Sequence, residues 1–478
     1  MSKNFSLIMP VKAKPYEHQY KAYKFACEKF GLVSGNIQSK GVALLMEMGT
    51  GKTLTSIGIA GALYLEGKIK RVLVVSPLSI VCVWEQEFQR FADFPHKVTV
   101  LKGSKENKIK ALEDTNGNVL QVAVVNYESA WRIEKQLLSF NPDLIIADEG
   151  HKLKEARTAQ SKAMHHLGNK ASYRLLLTGT VITNREIDVF SQYKFLDPNI
   201  FGDSFYAFRN KYFDMVGYGN HVPRFKNSMT NDFLMKMHSA AFRVTKEECL
   251  DLPKITEETR FVELEPIAMR LYKNLEKDSY TQICQSEVTA VNILSKLLRL
   301  SQVTGGHITD DKGKSLTVSR AKLNALSDII DRAKNDGEKI IVMARFIAEL
   351  DDIVKLLQSK KIKYSAVRGG IKNRAEEIRR FQDENDCCVF LGQIAAAGMG
   401  ITLTAASTMV FYSLDYSMSN FEQAKARIHR VSQSKNCHYI YLIAKNTVDK
   451  KILYSLRHKV DLAKSLVDDY RKGIDPFK

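Results

Sequence analysis

The chain has 478 residues, about three times an average domain of ~150 residues, so two or three domains are expected. It is 45% hydrophobic, 26% charged and 9% aromatic, which excludes a disordered tail, a collagen-like fibre and a short disulfide scaffold. Lys and Arg number 71 against 53 Asp and Glu, a net charge of +18, and a globular chain this basic points to a polyanionic partner, most simply nucleic acid.

In chain order, short apolar runs alternate with helix-length patterns. The spacing predicts strands at Val42–Met46, Arg71–Val75, Lys97–Leu101, Gln121–Val125, Asp143–Ala147 and Arg174–Leu177. Helices are predicted between them at Lys52–Tyr64, Ile80–Arg90 and Tyr127–Ser139. Such alternation builds βαβ units, hence a parallel sheet covered on both faces. From about 197 to 245 the alternation stops and Phe201, Phe205, Tyr206, Phe208, Tyr212 and Phe213 crowd together. This reads as a helical insertion whose aromatics form a small core rather than a base-stacking platform.

Leu252-Pro253-Lys254 breaks any helix, and a mainly helical stretch, 265–302, follows. Alternation resumes with strands at Lys339–Met343, Lys363–Val367, Cys387–Leu391, Thr408–Tyr412 and His438–Leu442. Helices are predicted at 346–359, 371–383, 419–428 and 447–469. The expected fold is therefore α/β, in two parallel-sheet lobes: 1–252 with a helical insertion at about 197–245, and 253–478 with a helical insertion at about 265–318.

Seven cysteines are scattered without any Cys-x-x-Cys pair, which argues against a structural zinc and fits a reducing cytosol. Cys387 and Cys388 point to opposite faces of their predicted strand and read as filler. The N-terminus lacks the apolar core of a signal peptide, and no run of ~18 apolar residues is present, so a cytoplasmic protein is expected.

The sharpest motif is Met46-Glu47-Met48-Gly49-Thr50-Gly51-Lys52-Thr53, directly after a predicted strand and opening a helix. Glycines let backbone N–H groups fold around a β-phosphate at a helix N-terminus, Lys52 can reach the β/γ oxygens, and Thr53 can ligate Mg²⁺. Met46 stands where the full pattern has its first glycine. Spacing alone leaves ATP and GTP open. Later comes Leu144-Ile145-Ile146-Ala147-Asp148-Glu149-Gly150-His151. An acidic pair at the end of an apolar strand suits Asp148 for the Mg²⁺ shell and Glu149 for orienting and polarising the attacking water. Since Glu149 fills the base position, His151 is expected to be structural.

Asp148 through Lys154 resembles motif II of the SWI/SNF-type ATPases of helicase superfamily two, and further stretches agree in order. The resemblance implies two RecA-like lobes with an ATP cleft between them. Tyr16 and Gln19 match the Q-motif region, where Gln19 would read adenine and Tyr16 pack nearby, beside a nucleotide loop of Met48, Gly49, Thr50, Gly51, Lys52 and Thr53. Ser76-Pro77 with Trp84 and Glu85 is similar to motif Ia, Asn126-Tyr127 to the next DNA-proximal motif, and Thr178-Gly179 to motif III. Gly398 through Thr404, with Gly400 at the nucleotide and Thr402 at nucleic acid, resembles motif V. Gln423 through Gln433 resembles motif VI, in which Arg427 and Arg430 would stabilise the γ-phosphate charge. Three residues apart, the two arginines are expected on one helix face.

The motifs depart from the family at Val181-Ile182-Thr183-Asn184, Ala397, Thr402 and Ser432, away from the phosphate and metal groups. Lys102, Lys105, Lys108 and Lys110 are expected as a basic loop for phosphate contact.

The resemblance implies an ATP-driven motor on double-stranded DNA, with ATP and Mg²⁺ as cofactors and sequence-independent backbone contacts. A monomer is expected, compact like bacterial and phage members, with a nuclease, replication or recombination protein as conceivable partner. A strand-separating DNA or RNA helicase and a DNA-binding scaffold with a decayed ATPase remain the alternatives.

Overall fold

The structure, a computed structural model, describes residues 8–113, 118–179, 186–216, 222–249, 252–284, 290–309, 315–369, 373–397, 401–458 and 462. The chain divides into two compact units, Met1–Leu250 and Asp251–Lys478.

The first unit is built on seven strands: β1 Gly41–Met46, β2 Arg71–Ser76, β3 His96–Val100, β4 Leu120–Asn126, β5 Leu144–Asp148, β6 Tyr173–Thr178 and, beyond a hairpin of β7 Phe213–Val216 and β8 Val222–Phe225, β9 Ala241–Val244. The sheet runs β3-β4-β2-β5-β6-β1-β9, with every pairing parallel. Central strands buried on both faces must be apolar throughout, and β1, β4, β5 and β6 are buried along their whole length. Alternate residues serve two cores: Leu144 and Ile146 pack with Trp84 and Phe88 on one face, Ile145 and Ala147 with Tyr127 and Leu137 on the other. All seven strands point the same way, so every strand exits at one end of the sheet.

The second unit carries a six-stranded, all-parallel sheet. Its strands are β10 Ile255–Val262, β13 Ile340–Ala344, β14 Lys363–Val367, β15 Cys387–Gln393, β16 Thr408–Phe411 and β17 Cys437–Ala444, in the order β10-β17-β16-β13-β15-β14. A small antiparallel hairpin, β11 His307–Thr309 with β12 Ser315–Thr317, precedes the helix Ala321–Asn335. Two parallel sheets, each covered by helices on both faces, make two RecA-like lobes.

Several expectations need correction. The stretch 197–245 is only partly helical: it holds the β7–β8 hairpin, and its last segment, β9, pairs with β1. Its aromatics do form a core, with Phe201, Phe208, Tyr212, Phe213 and Phe233 buried and in ring contact. Residues 255–262, assigned to no element from the sequence, form the edge strand β10, and the stretch 265–318 ends in the β11–β12 hairpin rather than in helix. The predicted helix Tyr127–Ser139 is two helices, Tyr127–Arg132 and Glu134–Phe140, separated by Ile133 at φ −117°. The lysine-rich stretch after β3 is not a loop: Lys105, Lys108 and Lys110 lie on the helix Lys105–Glu113, and Lys108 donates to Gly103 O (2.9 Å).

Candidate nucleotide site at the strand ends

The segment after β1 turns sharply because two glycines adopt left-handed backbone, Gly49 at φ 86° and Gly51 at φ 91°. Its φ of 91° calls for glycine at 51, and a Cβ there would sit 2.1 Å from Gln19 Nε2 and displace that amide. Thr50 is buried, and its carbonyl receives Gln19 Nε2 at 3.1 Å and faces His18 Nε2 at 2.8 Å. Thr50 Oγ1 closes the loop on Glu47 O at 2.7 Å. Lys52 Nζ donates back to Met46 O (2.8 Å) and Glu47 O (3.2 Å), and the helix Lys52–Leu65 begins immediately after Gly51. Thr53 is half-buried in its first turn, where orphan N–H groups and the helix dipole favour an anion.

The Q-motif residues take a specific place. Gln19 is buried, with Oε1 accepting from Tyr16 N (3.0 Å) and Nε2 donating to the phosphate loop, which fixes the amide and leaves its second N–H and second lone pair as the groups that could read adenine. Tyr16 is half exposed and stacks on His18 with ring centroids 5.9 Å apart, leaving ring surface for a planar base.

Two strands away, β5 ends on Asp148, whose Cα pairs in register with Leu177 of β6, while Thr178 of β6 pairs with Leu45 of β1. The acidic pair and the phosphate loop thus flank β6. Gly179 closes the gap, since a Cβ there would lie 3.8 Å from both Met46 O and Met48 N. Asp148 is buried, with Oδ1 accepting from Glu149 N (3.0 Å) and Oδ2 from Trp84 Nε1 (3.0 Å). Burial first, and the Glu149 charge second, push its carboxyl up to about 7, against the pull of Trp84 and Lys52. Glu149 sits at φ 51°, a left-handed conformation that directs its carboxylate to His151 Nδ1, 3.2 Å away. Gly150 is tight against β6, where a Cβ would come 2.4 Å from Leu176 Cγ.

A buried aspartate beside a partly buried glutamate, a nearby ammonium and a glycine-built cradle of N–H groups fit a magnesium nucleotide. Thr53 and Asp148 are the residues able to hold the metal and Lys52 the phosphates.

Segments expected to face nucleic acid leave the same end of the sheet, but most of their side chains do not project from it. Ser76, Pro77, Asn126, Tyr127 and Thr178 are buried, because strand-end side chains turn into the faces of the sheet. Tyr127 Oη donates to Asp148 O at 2.8 Å. These side chains pack within the unit; Lys102 is exposed and Gly179 partly so.

In the second unit Arg427 and Arg430 do not share a helix. The helix Met418–Lys425 ends before them and both lie in the following turns, since the main chain at Arg427 is drawn to Leu403, whose N–H donates to Arg427 O at 3.0 Å. Arg427 is buried, donating to Gln423 O (2.8 Å) and Ile401 O (3.0 Å). Arg430 donates to Ala426 O (2.9 Å) and to Thr402 Oγ1 (2.6 Å). Thr402, expected at nucleic acid, thus holds a guanidinium. Gly400, with Gly398, Met399 and residues 180–185, lies outside the described residues.

The contact that spacing could not show is Trp84 with Asp148. Fold and site together define a two-lobed, RecA-like protein of the helicase class. The chain belongs to the SNF2-related family: the SNF2-related domain matches residues 18–306, more than half of the chain, and the helicase conserved C-terminal domain matches residues 321–432.

An uncharacterized ATP-dependent helicase of Mycoplasma genitalium is 29% identical over 439 residues, 90% of this chain and 40% of that protein. The DNA repair and recombination protein RAD54-like of Drosophila persimilis is 26% identical over 95% of this chain and 63% of its own length. The chain thus spans between 40% and 63% of these relatives. The Sulfolobus solfataricus SWI2/SNF2 ATPase core in complex with dsDNA covers 98% of this chain and 96% of its own, with 24% identity and a TM-score of 0.47. Among the described residues, no helix is long and apolar enough to cross a membrane.

Proposed function

We propose that this chain is an ATP-dependent motor that hydrolyses ATP to move along double-stranded DNA without routinely separating its strands. The observation that carries the reading is convergence: the phosphate loop, the Asp148–Glu149 pair and the ends of β2, β4 and β6 all leave one end of one parallel sheet. Family membership and relatives named as helicase and DNA repair proteins support it.

In this reading Lys52 and the N–H groups around Gly49 and Gly51 bind the β- and γ-phosphates, and Thr53 and Asp148 hold Mg²⁺. The metal would neutralise charge building on the phosphates. Glu149, beside His151, orients the attacking water and accepts its proton. Arg427 and Arg430 are the cations assigned to the transition-state charge, each fixed within its own unit by bonds to carbonyl and hydroxyl oxygens.

The test is an ATPase assay with duplex DNA, single-stranded DNA or RNA, paired with strand displacement. Duplex DNA of any sequence is expected to stimulate turnover, with log affinity falling by ~0.9 per log unit of salt for each neutralised phosphate. The protein is expected to strip a third strand from a triplex and leave a forked duplex intact. Fork unwinding without triplex displacement would establish the strand-separating alternative. RNA-only stimulation would overturn the DNA assignment, and absent hydrolysis would leave a scaffold.

A further inference from the structure

Trp84 and Asp148 lie 64 positions apart, yet the buried indole Nε1 donates to Oδ2 at 3.0 Å. The sheet makes this contact. β2 and β5 are neighbours, with Val75 opposite Ala147, and the helix Val81–Phe91 leaves β2 to cover the face on which Ile146 packs. With Glu149 N on Oδ1, both carboxylate oxygens have a fixed donor. From the other face, Tyr127, the first residue of the helix after β4, donates to the Asp148 carbonyl at 2.8 Å. Asp148 is thus gripped through its side chain by the segment after β2 and through its main chain by the segment after β4.

We propose that Trp84 is a positioning residue: its indole N–H sets the Asp148 carboxylate for the metal and, together with Tyr127, registers at that carboxylate what the segments after β2 and β4 contact. The inference rests on the ATP-motor reading. It places coupling in two buried donors that approach one acid from opposite faces of the sheet. A side chain that only filled volume would need no N–H, and a phenyl ring would serve as well.

The discriminating variant is Trp84→Phe, which keeps an aromatic ring and deletes the donor. Nucleotide affinity is measured by calorimetry with Mg²⁺ and with EDTA. Affinity in EDTA is expected to match the wild type, while the gain conferred by Mg²⁺ falls by about tenfold or more, the loss of one bond to a charged acceptor. High Mg²⁺ should restore part of that gain, and stimulation by duplex DNA should shrink. Tyr127→Phe should reduce DNA stimulation while leaving the Mg²⁺ gain closer to the wild type.

A second readout needs no turnover. The chain has two tryptophans, so Trp131→Phe, at an exposed site, leaves Trp84 as sole reporter. Its emission should change with Mg²⁺ and ATP together and stay constant with ATP in EDTA. A Trp84→Phe protein with the wild-type Mg²⁺ gain, or a Trp84 emission blind to Mg²⁺, overturns the positioning role alone. A wild type that shows no Mg²⁺-dependent ATP binding overturns the ATPase reading, and this inference with it.

Discussion

The two units share an all-parallel sheet but hold the groups proposed for ATP hydrolysis in opposite ways. In the first, the groups stand directly at strand ends and are fixed by backbone conformation, with left-handed residues at Gly49, Gly51 and Glu149. In the second, the arginines come from turns after a helix and are fixed by side-chain bonds to Gln423 O, Ile401 O and Thr402. N–H cradles and short carboxylates reach only as far as the backbone carries them, so glycine supplies the turns at Gly49 and Gly51 and only Glu149 holds a disfavoured conformation. A guanidinium on a long stem can be aimed by its own five donors.

Buried acids sharpen the contrast. Burial pushes one carboxyl in each unit up to about 7, Asp148 in the first and Glu349 in the second. Glu349 Oε2 is spent on Arg345 N, Phe346 N and the Ser413 hydroxyl, which tie the end of β13 to the helix Ile347–Ser359. A perturbed acid alone does not mark a reaction site; its position at the phosphate-loop end of the first sheet does.

The largest expected effect breaks the first unit's side of the comparison. Lys52→Ala should remove detectable turnover and weaken ATP binding. Glu149→Gln should keep nucleotide and DNA binding while slowing hydrolysis by about 10²–10⁴-fold, measured under single-turnover conditions. In the second unit, Arg430→Ala should cut kcat by ~10³-fold with ATP affinity nearly unchanged. Arg427→Ala should match that loss and also lower the melting temperature, because Gln423 O and Ile401 O lose a buried donor worth about 1–3 kcal/mol. Equal melting curves for the two arginine variants would erase the distinction between a gripped and a buried guanidinium.

Gly51→Ala tests backbone preorganisation at φ 91°. It should cost about 1–3 kcal/mol and weaken nucleotide binding, both seen by thermal shift with and without ATP. The last test concerns Glu349 and leaves turnover aside. Its folded pKa of about 7 stands above the ordinary 4.5, so the folded state holds the extra proton between those values and this residue's contribution to stability declines as pH rises from 4.5 to 7. Glu349→Gln should therefore gain stability relative to the wild type across that window, by roughly 3 kcal/mol, and show a constant difference above it. A difference independent of pH would show that Glu349 stays charged.

What was legible in the sequence follows from burial. β1, β2, β4, β5, β6, β13, β15 and β17 are apolar runs because parallel strands lose water on both faces, and period and spacing found them. Two of the four edge strands were missed, while β3 and β14 were found: Ile-Thr-Glu-Glu-Thr-Arg-Phe-Val in β10 is largely open to solvent, and Ala-Phe-Arg-Val in β9 is four residues long inside an aromatic insertion. The lysines of Lys105–Glu113 hid a helix that buries only Leu112.

Phosphate-loop and acidic-pair residues were legible because local order carries them. The burial of Ser76, Asn126, Tyr127 and Thr178 was not, nor was the Trp84–Asp148 bond, since both depend on which strands become neighbours. Arg427 and Arg430 kept their spacing but lost their expected helix to the pull of Leu403.

Glu149 has one more consequence. It occupies a backbone conformation that disfavours any residue with a Cβ, and its charge lies beside another buried acid. Both penalties vanish if glycine replaces it. Variants enriched from a library solely for survival at high temperature should therefore drift away from glutamate at this position, while those enriched for turnover should retain it. The tension between robustness and work in this lobe is concentrated in a single codon.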